Sequence, residues 1–576
     1  MEKKKEILPL KILLLLTVVL FGGFYEFVSC MVTIALGLYL LYFIIYRGKP
    51  MRLYRNGGLI LSAVICVGCL GSLPFAVDRG MALIGLVKVL PLPLFALVLM
   101  QLSEEDREEL LGSVPYSGAL VVGFSVLFCW IPAVRDQLYL AGRLGGTFQY
   151  SNTMALYFLA GVLLSQGAKG VKKGTKHCRR GKNQVLSAIL LLGILLSGSR
   201  SVFVLTAAVL LVLAWRRREY RRFNIAILAA ALLLGGVYSF ATGDYQNLGR
   251  FLTISLSNST LIGRFLYWQD ALPLVFTHPF GLGYMGYYYL QGSVQTGVYT
   301  TVFVHNDFLQ LLLDFGWIPG IAAAAVFFRS LFSGKQSHTA KAVLAVIGLH
   351  SLFDFDMQFL SMGFLFLMVL EGYGTEENGT DLKPGSGRNP ESGRNPASKN
   401  ICIGITAAMA VSLYFLIPLA ASYAGDNELA GKIYPYYTEA NLILLGSAET
   451  REEGEKLADR ILRTNQNAAL AFDAKALSCA MDGDFDQMIA WKEQALYNNP
   501  YALYEYVDYV SLLSRGMEYF QQAGDQEKAE EYAQRIREIP ERLEALEERT
   551  SAPGWMIRDL PETELPDDVS AYIKSL

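Results

Sequence analysis

Long apolar runs, separated by short basic, polar or turn-rich segments, fill the first 420 residues of the chain. About 20 apolar residues cross a bilayer as helix. Cutting the sequence at charges and turns predicts spans near 10–27, 29–46, 58–76, 81–100, 115–133, 150–166, 185–198, 200–215, 223–241, 305–328, 339–353, 359–371 and 401–420. The seventh and twelfth are short. From Ala421 onward the apolar positions recur at helical spacing in an otherwise polar stretch. Ala469–Met481, Gly483-Asp484, Phe485–Leu496 and Asn499-Pro500 predict a helix-turn-helix unit. Ala502–Gln522, Gly524-Asp525 and Gln526–Leu543 predict another. The expected fold class is all-α: a polytopic membrane helical protein of about 12–13 spans with a C-terminal soluble α-helical repeat domain.

The pattern divides the chain into a membrane domain over 1–372 with a long loop at 242–304, a linker at 373–400, a further transmembrane helix at 401–420 and a helical domain at 421–576. The linker is rich in Gly, Pro, Asn and Ser and holds a near-duplicate, Ser386-Gly387-Arg388-Asn389-Pro390 and Ser392-Gly393-Arg394-Asn395-Pro396, as expected of a flexible segment. The tail units resemble tetratricopeptide repeats, with small residues at packing positions (Ala474, Ala476, Ala480, Ala490, Ala495). Their period departs from 34 residues, and an unrelated helical bundle is the alternative. Either form binds partners rather than catalyses.

Composition and charge sharpen this division. The chain is 53% apolar, as expected of a membrane protein rather than an ordinary soluble one. From Ala421 it carries 30 acidic against 15 basic residues, whereas residues 1–420 carry 22 against 35. The bases sit in short clusters between spans, so no nucleic-acid partner is expected. Lys3–Lys5, Arg47–Arg55, Lys172–Lys182, Arg216–Arg222 and Arg329–Lys341 precede the first span or follow even-numbered ones, and the positive-inside rule puts them all in the cytoplasm. The N-terminus is then cytoplasmic. The loops Arg135–Tyr150, Ser197–Arg200 and Thr242–Val304, and the acidic tail, are then extracytoplasmic. Cys66-x-x-Cys69 lies within a span with no His or acid beside it, and apolar packing accounts for it better than a metal or redox role.

Three cations fall on the outer side of this topology: Arg200 in Gly198-Ser199-Arg200-Ser201, Arg264 in the long loop, and His305 in His305-Asn306-Asp307 at the start of span ten. Ionisable groups at this depth are costly and mark sites. Two guanidinium forks suit a diphosphate, and a histidine in their field suits a general base. Each also has a plainer reading: Arg200 as a snorkelling flank, Arg264 facing headgroups, His305 as a helix cap. Asp354 and Asp356 read as solvated or hydrogen-bonded structural acids, and Asp314 suits a site or helix packing equally. Neither metal nor cofactor is implied.

The arrangement resembles the O-antigen ligase family and its relatives among repeat-unit polymerases. The residues that carry the likeness are Gly146–Asn152, Leu196–Ser201, Gly263-Arg264 with Trp268, His278-Pro279-Phe280-Gly281-Leu282-Gly283, His305-Asn306-Asp307 through Gly316, and His350–Asp354. The resemblance implies a membrane glycosyltransferase that moves a glycan from a polyprenyl-diphosphate donor to a glycan, lipid or protein hydroxyl at the outer face, without a metal. It implies that Arg200 and Arg264 hold the diphosphate and that His305 positions or deprotonates the acceptor. It further implies that Asn306 orients His305 and that Arg143 touches phosphate or sugar. Tyr284, with its neighbours Tyr287–Tyr289, is expected either to stack on sugar or to belong to an interfacial belt. The bilayer, and a protein partner for the tail, complete the expected contacts. A lipid-linked glycan transporter would need polar groups along the spans rather than cations at one face. A silent anchor for the tail would need none of the three cations.

Overall fold

The computed structural model describes residues 2–46, 51–167, 176–242, 259–370 and 396–576. Among these, a two-strand hairpin (Tyr139–Leu140 with Arg143–Leu144) and one isolated bridge are the only extended pairings, and the rest is helix, turn and loop. The all-α membrane fold expected from the apolar pattern is the fold observed. Among the described residues, five helical stretches are long and apolar enough to cross a membrane: Glu26–Tyr46, Gly57–Phe75, Arg79–Gln101, Glu104–Phe128 and Lys399–Tyr423. Three shorter apolar ones, Ile7–Val19, Trp317–Phe332 and Leu360–Val369, accompany them. Large apolar side chains such as Leu127, Ile318, Ile321, Phe332 and Leu413 face outward, as a lipid-facing surface requires.

Each of the predicted spans falls on helix, but some change form. The first ends at Val19, not at residue 27, because the chain turns through Phe21–Gly23 before the next helix starts at Glu26. The fourth is two helices, Arg79–Val89 and Pro91–Gln101, joined at Leu90. The second begins on Pro91, whose missing N–H costs nothing at a first helical position.

The tenth predicted span, 305–328, is two helices, Asp307–Phe315 and Trp317–Phe332. Gly316 separates them at φ +85°, and a Cβ there would lie 2.4 Å from the Pro279 carbonyl oxygen. The loop Pro279–Gly283 runs along this break: Leu282 and Gly283 donate to the carbonyls of Leu313 and Asp314, and Trp317 donates to that of Pro279. The Pro-Phe-Gly-Leu-Gly and Asp-Phe-Gly sequences are thus two sides of one backbone contact.

Ser151–Gly167 is the central helix. It is apolar all round, and 15 of its 17 residues are buried, so it is a core pillar rather than a lipid-facing element. Helices Val114–Phe128, Lys176–Ser197, Arg200–Arg216 and His338–Ser351 pack around it. Its N-terminal end meets the loop between His338–Ser351 and Leu360–Val369, and that junction carries the site.

The predicted linker, 373–400, lies outside the described residues up to residue 395. Its last five residues already belong to the helix Pro396–Tyr423. Residues 243–258 of the long loop also lie outside them, and the remainder of that loop holds helices Ser259–Thr277 and Gly286–Val294. In the tail, Ala469–Met481, Phe485–Asn498, Leu503–Gln522 and Gln526–Arg537 match the expected helices, and Asp484 and Asp525 cap the second and fourth. The last predicted helix breaks at Glu538 and resumes as Ile539–Arg549.

The tail helices are docked on the membrane part. Asp78 is buried, caps the helix Arg79–Val89 and accepts from Asn465 at 3.0 Å, while Tyr434 donates to the Gly80 carbonyl. Further along, Thr296 accepts from the Ser551 amide, and Arg549 donates to the Ser293 carbonyl. Thr296 is itself held by Asp270, six residues past Arg264 on the same helix. Burial pushes the Asp270 carboxyl above the usual carboxylate range, against hydrogen bonds from Thr296 and Tyr299.

Candidate active site

The end of the central helix presents Tyr150, Asn152 and Thr153 to the turn Asp354-Phe355-Asp356. Tyr150 donates to Asp354 Oδ1 at 2.6 Å, Asn152 to Asp354 Oδ2 at 2.8 Å, and Thr153 to Asp356 Oδ1 at 2.7 Å. Both carboxylates are fully buried, so each must be paired or hydrogen-bonded. Asp354 is the hub. Arg264 Nη2 lies 3.3 Å from Oδ2, His305 Nδ1 3.3 Å from Oδ1, and the Phe355 amide donates to Oδ1 at 3.0 Å. Burial alone would raise its pKa. The His305 hydrogen bond and the Arg264 charge outweigh burial and hold the carboxyl well below the ordinary carboxylate range. With five donors on two oxygens, Asp354 has little acceptor capacity left for a substrate proton and acts as an anchor.

His305 is placed by backbone as well as by Asp354. It has φ +52°, uncommon for a residue with a side chain and of the kind that clusters at functional sites. Its neighbours hold it there. Trp268 Nε1 donates to the Val304 carbonyl at 2.8 Å, Gln310 Oε1 accepts from the Val304 amide, and Asn306 Oδ1 caps the next helix at Leu309 N. The ring packs edge-on against Phe355 and near Tyr267. A carboxylate only accepts, so Nδ1 donates to Asp354 and Nε2 is left able to take a proton. His305 is 22% exposed and Arg264 13%, which leaves both reachable beside a fully sealed Asp354. The Arg264 Nε has no partner among the described residues.

The other predicted residues divide. Arg143 joins the site: its Nη2 donates to Asn152 at 2.8 Å and its Nε to the Ser197 carbonyl at 2.9 Å, tying the hairpin to the central helix and to the Gly198–Ser201 turn. Arg200 begins the helix Arg200–Arg216 within that turn, half-buried and without a hydrogen bond or ion pair among the described residues. Asn306 is spent on the helix cap and on the Leu352 carbonyl, and the partner that orients His305 is Asp354 instead. Tyr284 is 4% exposed, with its hydroxyl bonded to Glu26 and Lys88. Its ring packs among buried apolar neighbours and against Lys88. Asp314 is buried and accepts from Gln310.

Reasoning from sequence missed three features. Asp354, one of two acids read as solvated or hydrogen-bonded, is the hydrogen-bonded hub shared by Arg264 and His305, Tyr150 and Asn152 are its supports, and His350 is held by Asp356 at 2.6 Å. The signal was present: Tyr150, Asn152, His350 and Asp354 all lie in the segments that carry the family likeness.

Residues 185–325 match the O-antigen ligase family. The matched stretch contains Arg200, Arg264 and His305, while Arg143 and Asp354 lie outside it. The match supports a membrane protein with a glycan-ligating or glycan-polymerising function in general. No curated protein matches the chain.

Proposed function

We propose that the protein transfers a glycan from a polyprenyl-diphosphate donor to an acceptor hydroxyl at the extracytoplasmic face, as an O-antigen ligase or a repeat-unit polymerase, and without a metal. The observation that carries this reading is the placement of His305: one ring nitrogen bonded to a buried carboxylate, the other without a partner among the described residues, with Arg264 on the same carboxylate. His305 Nε2 takes the proton of the acceptor hydroxyl as it attacks the anomeric carbon. Arg264 and Arg200 stabilise the charge that develops on the diphosphate as the old bond breaks. Arg143 acts through Asn152 and the Ser197 carbonyl, fixing the frame in which Arg200 stands.

The basic clusters support a cytoplasmic N-terminus and an extracytoplasmic tail. The docking of the tail on residues 78–80 and 292–297, near the loop helix that carries Arg264, fits that sidedness. We read residues 1–372 as the transferase domain, 401–420 as an added span, and 421–576 as a tetratricopeptide-like domain that brings a partner to the same face.

Glycan polymer is measured in cells that depend on this protein, with His305→Ala, Arg200→Ala and Arg264→Ala at matched membrane levels. Each variant is expected to abolish polymer or its attachment. The lipid-linked species that accumulates, single repeat or finished chain, separates polymerase from ligase. Normal polymer in all three variants would overturn the site.

A further inference from the structure

A second hydrogen-bonded series lies beside the first. Ser201 Oγ is 3.0 Å from Nε2 of His350, whose Nδ1 is 2.6 Å from Asp356 Oδ2. The other Asp356 oxygen accepts from Thr153. His350 is 1% exposed and Asp356 is fully buried, whereas Ser201 is only half-buried. The series therefore runs from a sealed carboxylate, through a sealed imidazole, to the hydroxyl of a half-buried residue. In such a series the hydroxyl and the imidazole exchange a proton along their hydrogen bond, while the carboxylate orients the imidazole and stabilises its charged form. Ser201 directly follows Arg200, and its Oγ lies 3.4 Å from that of Ser199 on the other side of the arginine. The turn Asp354-Phe355-Asp356 thus anchors two histidines: His305 through Asp354 and His350 through Asp356.

Resting on the transferase reading above, we propose that Ser201 is a catalytic residue on the leaving-group side, fed with a proton by His350, which the positioning residue Asp356 holds. In the reacting form His350 carries a proton on each ring nitrogen. Nδ1–H bonds Asp356 and Nε2–H bonds the Ser201 oxygen, which frees the Ser201 hydroxyl proton to point toward the phosphate at Arg200. The acceptor oxygen bonds the anomeric carbon and gives its proton to His305. The old anomeric carbon–oxygen bond breaks, and its electron pair goes to the diphosphate oxygen. Ser201 hands that oxygen its proton and takes one from His350 Nε2, which leaves the imidazole neutral and still bonded to Asp356. One proton leaves the acceptor and one reaches the leaving group, so the net charge of the site is unchanged.

The test uses full-length protein in membranes and, as donor, the lipid-linked glycan that accumulates in cells carrying His305→Ala. Wild type, Ser201→Ala, Ser201→Thr and His350→Gln are compared for kcat and donor KM, with protein level and thermal midpoint recorded. Glutamine can keep a hydrogen bond to Ser201 but cannot pass a proton. Ser201→Ala and His350→Gln are each expected to lower kcat by roughly 100-fold with donor KM little changed, and Ser201→Thr to retain most of the rate. Full kcat in Ser201→Ala or His350→Gln, or a loss confined to KM, overturns the relay while leaving the transferase reading intact. Absence of any accumulated donor, or a wild type that transfers nothing from it, overturns the transferase reading and the relay with it.

Discussion

His305 and Asp354 meet at 3.3 Å, Nδ1 to Oδ1, and this contact decides which ring nitrogen points away from the buried carboxylate. The carboxylate also takes Arg264, Tyr150, Asn152 and the Phe355 amide, so the imidazole is held by a group that is itself immobile. Asp354→Asn keeps the size and removes the charge. The amide cannot fix the His305 tautomer or pair with Arg264, and kcat for glycan transfer is expected to fall by roughly 100-fold or more. Unchanged kcat at equal membrane level would show that His305 works without this anchor.

Arg143 is predicted to act as a bridge. It spans Asn152 and the Ser197 carbonyl with two arms of a planar fork, which the single ammonium of lysine cannot reproduce. Arg143→Lys should slow transfer by roughly tenfold, an energy of about 1.4 kcal/mol. Combined with Asn152→Ala, the loss should be smaller than the product of the single effects, since both changes break one network. Independent, multiplying effects in the four-way kinetic comparison would speak for a direct substrate contact by Arg143.

The docked tail is predicted to come loose through single glycines. A Cβ on Gly292 would lie 1.8 Å from the Asn498 carbonyl oxygen, and one on Gly80 would lie 1.9 Å from that of Tyr436. Backbone cannot step aside as a flexible side chain can, so Gly292→Ala and Gly80→Ala should open the interface. Gly454→Ala, whose Cβ would meet only Leu445 Cδ1, at 4.0 Å, serves as the control. Limited proteolysis should cleave the first two variants between the membrane part and the C-terminal helices faster than wild type. Equal cleavage in all three would mean that these contacts do not hold the tail.

Glu439 makes the docked junction pH-dependent. Burial and the Glu26 charge push its carboxyl up to about 7, against the pull of Lys88 and a hydrogen bond from Tyr437, with Asp78 adding to the rise. An unfolded glutamate ionises near about 4.3. Between those values the folded state binds the extra proton, so stability falls as pH rises from about 4.3 to about 7 and then levels off. Glu439→Gln carries no charge at any pH. Its thermal midpoint should lose this slope and exceed that of wild type at pH about 8. The same slope in both proteins would rule out Glu439 as its source.

Much of the fold was legible because apolar run length and basic flanks are strong local signals. The tail helices Phe485–Asn498 and Gln526–Arg537 start directly after the Gly-Asp turns, capped by Asp484 and Asp525. What escaped was set by contacts distant in sequence. The break at Gly316 depends on Pro279, and the end of the first helix at Val19 is followed by a turn whose Gly22 lies against Phe148. The same holds at the site. His305, Arg264 and Arg200 stood out as costly charges in an apolar chain and Arg143 through the family likeness alone, but the place of Asp354 comes from donors up to 204 residues away. The sequence does not show that the Tyr284 ring lies against Lys88, since an aromatic cluster in a long loop reads the same whatever its rings face.

The most direct measurement is transfer in vitro by the full-length protein in membranes, supplied with a purified polyprenyl-diphosphate glycan and an acceptor glycan. Wild type should form the lengthened or attached glycan and release polyprenyl diphosphate in equal amount, and His305→Ala at the same protein level should form neither. Product from His305→Ala at the wild-type rate, or no product from wild type with that donor, would contradict the assignment of this site to glycan transfer.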